Sequence, residues 1–246
     1  MQQNIYDNDI FFNEYIALRE RKDNYNDLLE QPAMKKLLPD LKNKSVLDLG
    51  CGFAANCIDF VNRGAKRVIG IDLSKNMLNM AEQLNSSEKI KYLNMSMTEI
   101  SKLNEKFDFV YSSLAFHYIM DFDALIKDIY SLLNDNGVLL FSQEHPIVTS
   151  SINGSNHFIT DNGNIIGYLM SDYQNTGLRK GTWFVEGVEK YHRTFSQIIN
   201  SLSYAGFKIE FIDEPVPDKN ALKVRPGLAK EFIKPNFLMI KSKKIN

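Results

Sequence analysis

Val46-Leu-Asp-Leu-Gly-Cys-Gly-Phe-Ala-Ala-Asn-Cys57 decides how this chain is read. A mostly apolar run ends in Gly50-x-Gly52, and an acid, Asp48, stands two residues before the first glycine. A buried strand that stops at such a turn hands the chain over to a nucleotide-binding loop and a helix. The carboxylate beside the turn needs explaining, because it narrows the class of nucleotide.

Outward from this stretch the same rhythm repeats. Residues 46–49 read as a strand, 56–63 as a helix and 67–71 as a second strand. Residues 74–84 read as a helix with Ser74 as its N-cap and Met77, Leu78, Ala81 and Leu84 at helical spacing. Strands at 90–93, 107–112 and 137–143 follow, with a helix at 122–133 between the last two. A helix at 194–205 and strands at 207–212 and 237–242 close the series. The expectation is an α/β fold: a mostly parallel, seven-stranded sheet with helices on both faces. Two segments fall outside the rhythm. Residues 1–40 look helical, with Phe11, Phe12, Tyr15, Ile16 and Leu18 clustered and Pro32 near a helix start, and are expected to form a lid over the first strand's end. Residues 146–192 are rich in Asn, Gly, Ser and aromatics, with turn signals at Asn153-Gly154, Asn162-Gly163 and Asn175-Thr-Gly177. They read as an inserted cap of short strands and loops. The organisation expected is one domain over 1–246: lid 1–40, cofactor-binding core 41–145, cap 146–192, and the C-terminal end of the core from 193 onward.

Bulk properties exclude several classes. A hydrophobic fraction of 44%, 24% charged residues and a formal charge of −1 fit a globular chain without a general attraction to nucleic acid or anionic membrane. No apolar run approaches the roughly 20 residues of a membrane helix, and the polar start is no signal peptide, so a cytoplasmic location is expected. Cys51 and Cys57 lie in one short segment with no second pair to complete a zinc site, and read as reduced packing residues. No metal is expected.

Read loosely, Gly50-Cys-Gly52-Phe-Ala-Ala55 meets the dinucleotide pattern G-x-G-x-x-G/A, so a nicotinamide-dependent oxidoreductase is the first reading to weigh. Asp72, at the end of the second strand, suits the ribose hydroxyls of either cofactor type. Asp48 separates them. A carboxylate beside the turn opposes a pyrophosphate, whereas a cofactor with an ammonium and a sulfonium gains from it. S-adenosylmethionine is such a cofactor: its amino group is expected near Asp48 and the Gly50 carbonyl, with Gly52 allowing close backbone approach.

The run Val46-Leu-Asp-Leu-Gly-Cys-Gly resembles the first motif of class I S-adenosylmethionine-dependent methyltransferases, D/E-x-G-x-G-x-G, with Ala54 in place of the third glycine. Val68-Ile-Gly-Ile-Asp-Leu-Ser-Lys-Asn-Met77 resembles their second-strand motif, and Phe107-Asp-Phe-Val-Tyr-Ser-Ser-Leu-Ala-Phe-His-Tyr118 the fourth-strand motif. Asn134-Asp-Asn-Gly-Val-Leu-Leu-Phe-Ser142 resembles the turn and fifth strand. The likeness covers residues 40–145 and extends at the flanks to the small-molecule, type 11 branch. It implies a Rossmann-like core with cofactor contacts from Cys51 in the turn, Asp72, Leu73 and Met77 after the second strand, and Ser113 and Leu114 after the fourth. Ser96 stands where many relatives have an acid near the adenine amino group, with Met97 beside it. Tyr15 and Arg19 are implied for the methionine carboxylate, and S-adenosyl-L-homocysteine as the product.

Methyl transfer from a sulfonium needs alignment and exclusion of water more than a base. Where a base is used, His145 after the fifth strand is the first candidate, His192 the next, and His117 after the fourth strand the third. Glu144, Tyr191, Arg193 and Trp183 are expected to meet a small-molecule acceptor, Glu144 having a pair with Arg193 as its plain structural alternative. O-, N- and C-methylation remain open, as do the oligomeric state and a non-catalytic cofactor binder as the second alternative. Nucleic-acid methylation is disfavoured, for the chain lacks a basic bias and an Asn/Asp-Pro-Pro-Tyr/Phe-type motif after the fourth strand.

Overall fold

The computed structural model describes residues 3–245. Its centre is a seven-stranded sheet built from β1 (Ser45–Leu49), β2 (Arg67–Asp72), β3 (Ile90–Asn94), β4 (Phe107–Ser113), β5 (Leu133–Glu144), β10 (Phe207–Asp213) and β11 (Phe237–Lys244). The order is β10-β11-β5-β4-β1-β2-β3. β1 pairs in parallel with both β2 and β4, and β4 with β5, while β11 runs antiparallel to β5 and β10.

All five residues of β1 are buried, as a strand covered on both faces requires. Its alternate side chains serve two cores: Leu47 and Leu49 face one, and Val46 the other. Helix α5 (Phe122–Leu132) and helix α7 (Phe195–Tyr204) cover the first core, while α2 (Gln31–Leu37), α3 (Ala55–Asn62) and α4 (Lys75–Leu84) cover the second. Ser74 caps α4 through the Met77 N–H, and Thr194 forms a capping box with Gln197. Among the described residues no helix is long and apolar enough to cross a membrane.

Three segments depart from the sequence expectations. β5 begins at Leu133 rather than at 137, pairing Leu133 with Phe107 before a register shift. Asn134-Asp-Asn-Gly reads as a turn because Asn136 holds a left-handed φ of 64° and a Cβ at Gly137 would lie 2.8 Å from the Asn134 carbonyl oxygen. The N-terminal stretch is broken, with α1 (Asp9–Glu20) followed by a π turn at Asn26–Glu30 that runs into α2. After β10 the chain makes α8 (Lys219–Val224) and a 3₁₀ turn over Pro226–Phe232, which the sequence reading leaves unassigned.

The cap segment holds α6 (Pro146–Thr149) and two hairpins: β6 (His157–Asp161) with β7 (Asn164–Leu169), and β8 (Gly177–Trp183) with β9 (Val185–His192). Asn162-Gly163 turns the first, as its sequence demands. The second turns at Phe184, whose φ is +61°, a conformation a bulky residue keeps only when its surroundings hold it. Here Trp183 stacks on Phe184 with centroids 5.0 Å apart, and both meet Phe11 edge-on.

Residues 3–7 run across the same region as a strap. At one end Gln3 exchanges hydrogen bonds with the β9 backbone, donating to the Gly187 carbonyl and accepting from the Glu189 N–H. At the other, Asp7 accepts from Ser74 Oγ at 2.6 Å and from the Asn76 and Lys75 N–H groups at the head of α4. Those donors outweigh partial burial and hold the Asp7 carboxyl below its usual range.

Candidate active site

A cavity of about 450 Å³ opens at the C-terminal ends of the parallel strands, where such sheets bind ligands. Gly50 after β1, Asp72 ending β2, Ser113 ending β4 and Glu144 ending β5 all reach it. Tyr6 and Tyr15 wall it from the N-terminal segment, and Trp183 from the cap.

The glycine turn is built to approach a ligand. Gly50 and Cys51 both donate to the Ile71 carbonyl at 2.9 and 3.0 Å, and the Gly52 N–H donates to Asp72 Oδ2 at 2.9 Å. A Cβ at Gly50 would lie 2.7 Å from Ala115 Cβ, whereas one at Gly52 would meet nothing within 4 Å. Gly50 is thus required by packing, and Gly52 leaves open space. Asp72 also accepts from the Ser74 N–H at 2.9 Å. Burial outweighs these two donors and pushes its carboxyl up to about 6, so the lone pairs left over favour hydroxyl donors.

At the far side Arg19 tests the fit of a carboxylate. Its Nε and Nη1 are buried without a partner, and its one ion pair, to Asp27, is 3.4 Å long. Two orphaned guanidinium N–H groups beside a cavity match the methionine carboxylate of S-adenosylmethionine. Tyr15 stands beside them on the wall, and Leu73, Met77, Met95 and Met97 give the apolar surface that an adenine needs. Leu114 lines the cavity too, with a φ of +52° that turns the chain after β4.

Two expected cofactor contacts lie elsewhere. Asp48 is 1% exposed and off the cavity wall; Cys57 Sγ donates to its Oδ2 at 3.3 Å, and burial pushes its carboxyl up to about 7. By the strand's pleat it shares the face of Val46, where it meets α3 through Cys57. Ser96 is also off the wall, because its hydroxyl caps the 3₁₀ turn Met97–Lys102 through the Thr98 N–H.

The acceptor side separates the three histidines. His117 lines the cavity, and its Nδ1 accepts from the Glu144 N–H at 3.3 Å. Burial pulls its pKa down to about 4, so the ring is neutral and carries its proton on Nε2. His145, expected as a base, is off the wall with both nitrogens engaged: Nδ1 accepts from the Ile147 N–H and Nε2 meets Glu214 at 2.8 Å. His192 is likewise engaged, with Nδ1 to Thr149 Oγ1 at 2.8 Å and Nε2 to the Tyr173 carbonyl at 2.9 Å. Each pins cap or C-terminal structure instead. Arg193 and Tyr191 border a separate open groove. The Arg193 guanidinium binds the Ile119 and Met120 carbonyls and lies over the Phe122 ring, so it does not pair with Glu144. Lys190 does, at 2.5 Å, and its ammonium outweighs burial to hold Glu144 below the usual carboxylate range.

Sequence reading missed Tyr6, Tyr118 and Glu30. The Tyr6 and Tyr118 hydroxyls meet at 3.5 Å, and Tyr6 packs edge-on against Tyr15. Glu30 is fully buried and accepts from Ser113 Oγ, Ser142 Oγ and Gln31 Nε2, which fixes the end of β4 under the cavity. Its signal was an acid set among Leu29, Ala33 and Met34 on an apolar helical face.

Residues 47–141 match the family model of a methyltransferase domain. An uncharacterized Haemophilus influenzae protein is 38% identical over 98% of this chain and 97% of its own. Among crystal structures, a Listeria monocytogenes protein assigned to the S-adenosylmethionine-dependent methyltransferases is 38% identical with a TM-score of 0.81, covering 88% of this chain and 97% of its own. An S-adenosylmethionine-dependent methyltransferase from Mesorhizobium loti is 33% identical with a TM-score of 0.81, over 87% and 97%. With that identity over most of its length, the same fold and a cavity whose orphaned donors fit that cofactor, the chain belongs to the S-adenosylmethionine-dependent methyltransferases.

Proposed function

We propose that the enzyme methylates a small-molecule acceptor in the cytoplasm, seated between the N-terminal segment and the β8–β9 hairpin. The observation that carries this reading is a cavity of about 450 Å³ with Tyr6, Tyr15, Tyr118 and Trp183 on its wall. Small-molecule sites span about 300–1,000 Å³, and a recessed cavity of this size suits a compact acceptor better than a macromolecular surface. When bound, S-adenosylmethionine supplies an electrophilic methyl group on its sulfonium.

The chain's residues hold and align. Arg19 and Tyr15 bind the methionine carboxylate, Asp72 accepts from the ribose hydroxyls, and Met97 packs on the adenine. His117, with its proton on Nε2, donates a hydrogen bond that orients the acceptor and is not the base. Glu144, kept ionised by Lys190, accepts from an acceptor O–H or N–H. Trp183, wedged edge-on against Phe11 and Tyr15, shuts water out of the transfer path.

Incubation of the enzyme with methyl-labelled S-adenosylmethionine and panels of phenols, amines and carboxylic acids tests the proposal. Label is expected in a low-molecular-mass product. Label found only on protein or nucleic-acid fractions of a cell extract would refute the small-molecule reading.

A further inference from the structure

A cation with no role in the chemistry above borders the same cavity. Arg225, just after α8, stands on the wall beside Tyr25 and Asn26. Its guanidinium lies over the Tyr25 ring, 4.7 Å from the centroid, and Nη1 donates to the Asp23 carbonyl at 2.8 Å. These two contacts fix the plane of the fork while leaving most of its N–H groups unused.

No carboxylate of the chain claims them among the described residues. Asp23, whose carboxylate feels the Arg225 charge without bonding to it, is bound by Arg21 through both oxygens at 3.0 Å. Glu231 accepts from the Asn236 backbone and side chain instead. Glu144, the acid on the cavity wall nearest the acceptor, is paired with Lys190. A flat guanidinium steadied on an aromatic ring at the wall of this cavity matches a carboxylate through two parallel N–H···O bonds. One fork, with the Arg19 guanidinium given to the cofactor, suits a single negative charge better than a phosphate dianion.

We propose that Arg225 anchors a carboxylate of the methyl acceptor, which makes the substrate class an organic monocarboxylate with its accepting atom toward His117 and Glu144. This rests on the small-molecule reading above. The cofactor's own carboxylate has a separate partner in Arg19, so the enzyme needs two guanidinium groups for two carboxylates.

The test uses the full chain saturated with S-adenosylhomocysteine, which occupies Arg19, and titrates benzoate, phenylacetate and hexanoate against their primary amides by calorimetry. At least one acid is expected to bind tenfold or more tightly than its amide, the scale of a charge-assisted pair. Arg225→Gln should erase that preference while S-adenosylhomocysteine binds as in the wild type, and Arg225→Lys should keep part of it. The proposal is overturned if wild type shows no preference for any acid, if Arg225→Gln retains it, or if that variant weakens S-adenosylhomocysteine, which would give Arg225 to the cofactor. Failure of the wild type to bind S-adenosylhomocysteine at all would instead sink the cofactor assignment beneath both.

Discussion

Replacing Arg19 by methionine should move stability and cofactor affinity in opposite directions. Without ligand, two of its N–H groups are buried and unpartnered, and each unsatisfied donor costs about 1–3 kcal/mol. The side chain returns less. Its 3.4 Å pair with half-exposed Asp27 adds at most about 1 kcal/mol. Its contact with the Phe53 ring, 5.7 Å away, adds about 0.5–1 kcal/mol. Methionine fills similar space without donors, so the ligand-free variant should melt no lower than the wild type, with a Tm unchanged or raised by about 2–4 °C. Loss of a charge-assisted contact to the cofactor costs about 1.5–3 kcal/mol, which weakens the S-adenosylhomocysteine Kd by roughly 10- to 150-fold. At a fixed saturating ligand concentration, each tenfold loss removes about 1.4 kcal/mol of ligand stabilisation, or about 3–6 °C of the Tm shift. Scanning fluorimetry with and without ligand, beside calorimetry, reads both signs. A ligand-free Tm lowered by more than about 5 °C together with an unchanged Kd would refute the role given to Arg19.

The buried acids predict a pH dependence. Burial raises Asp72 to about 6 and Asp48 to about 7, above the unfolded value, so the stability they lend the ligand-free protein is full below the ordinary carboxylate pKa and lost as pH climbs through those values. Ribose hydroxyls donated to Asp72 favour its ionised form, so S-adenosylhomocysteine affinity should rise as pH passes through about 6 with proton release, seen as a buffer-dependent heat; a flat profile contradicts this. Gly50→Ala meets Ala115 at 2.7 Å with a φ of +72° and should cost about 2–4 kcal/mol in denaturant melts. Gly52→Ala, at φ +55° with nothing nearby, should cost about 1–2 kcal/mol yet weaken S-adenosylhomocysteine binding by calorimetry, because its Cβ enters the open space. Glu30→Ala strands the Ser113 and Ser142 hydroxyls and should cost about 2–4 kcal/mol, whereas Glu30→Gln keeps an acceptor and should cost less.

The sheet was legible because its strands are apolar on both faces and bounded by turns. β1, β2 and β4 each fall within a residue of their sequence limits, and Ser74 announces its helix as a cap. The strand-end residues Gly50, Asp72 and Ser113 could be placed at the cavity from sequence because they follow strand ends in fixed order, whereas Asp48 and Ser96 turn away from it. The acceptor side was not legible. Whether a strand-end histidine points into a cavity or away depends on the pleat and on distant partners such as Glu214 for His145 and Tyr173 for His192. Phe184 turns a hairpin without Gly or Asn because packing with Trp183 and Phe11 overrides local preference. Arg225 lay in a stretch with neither clear helical nor strand period, so nothing local linked it to Tyr25, some 200 positions earlier in the chain.

The strap across residues 3–7 fastens the head of α4 at one end and the β9 hairpin at the other, and Gln3, Asn4, Ile5 and Tyr6 all border the cavity. One short segment thus ties two elements, so displacement of the head of α4 and displacement of the hairpin that carries Trp183 are mechanically joined, and an exchange step that loosens one bears on the other.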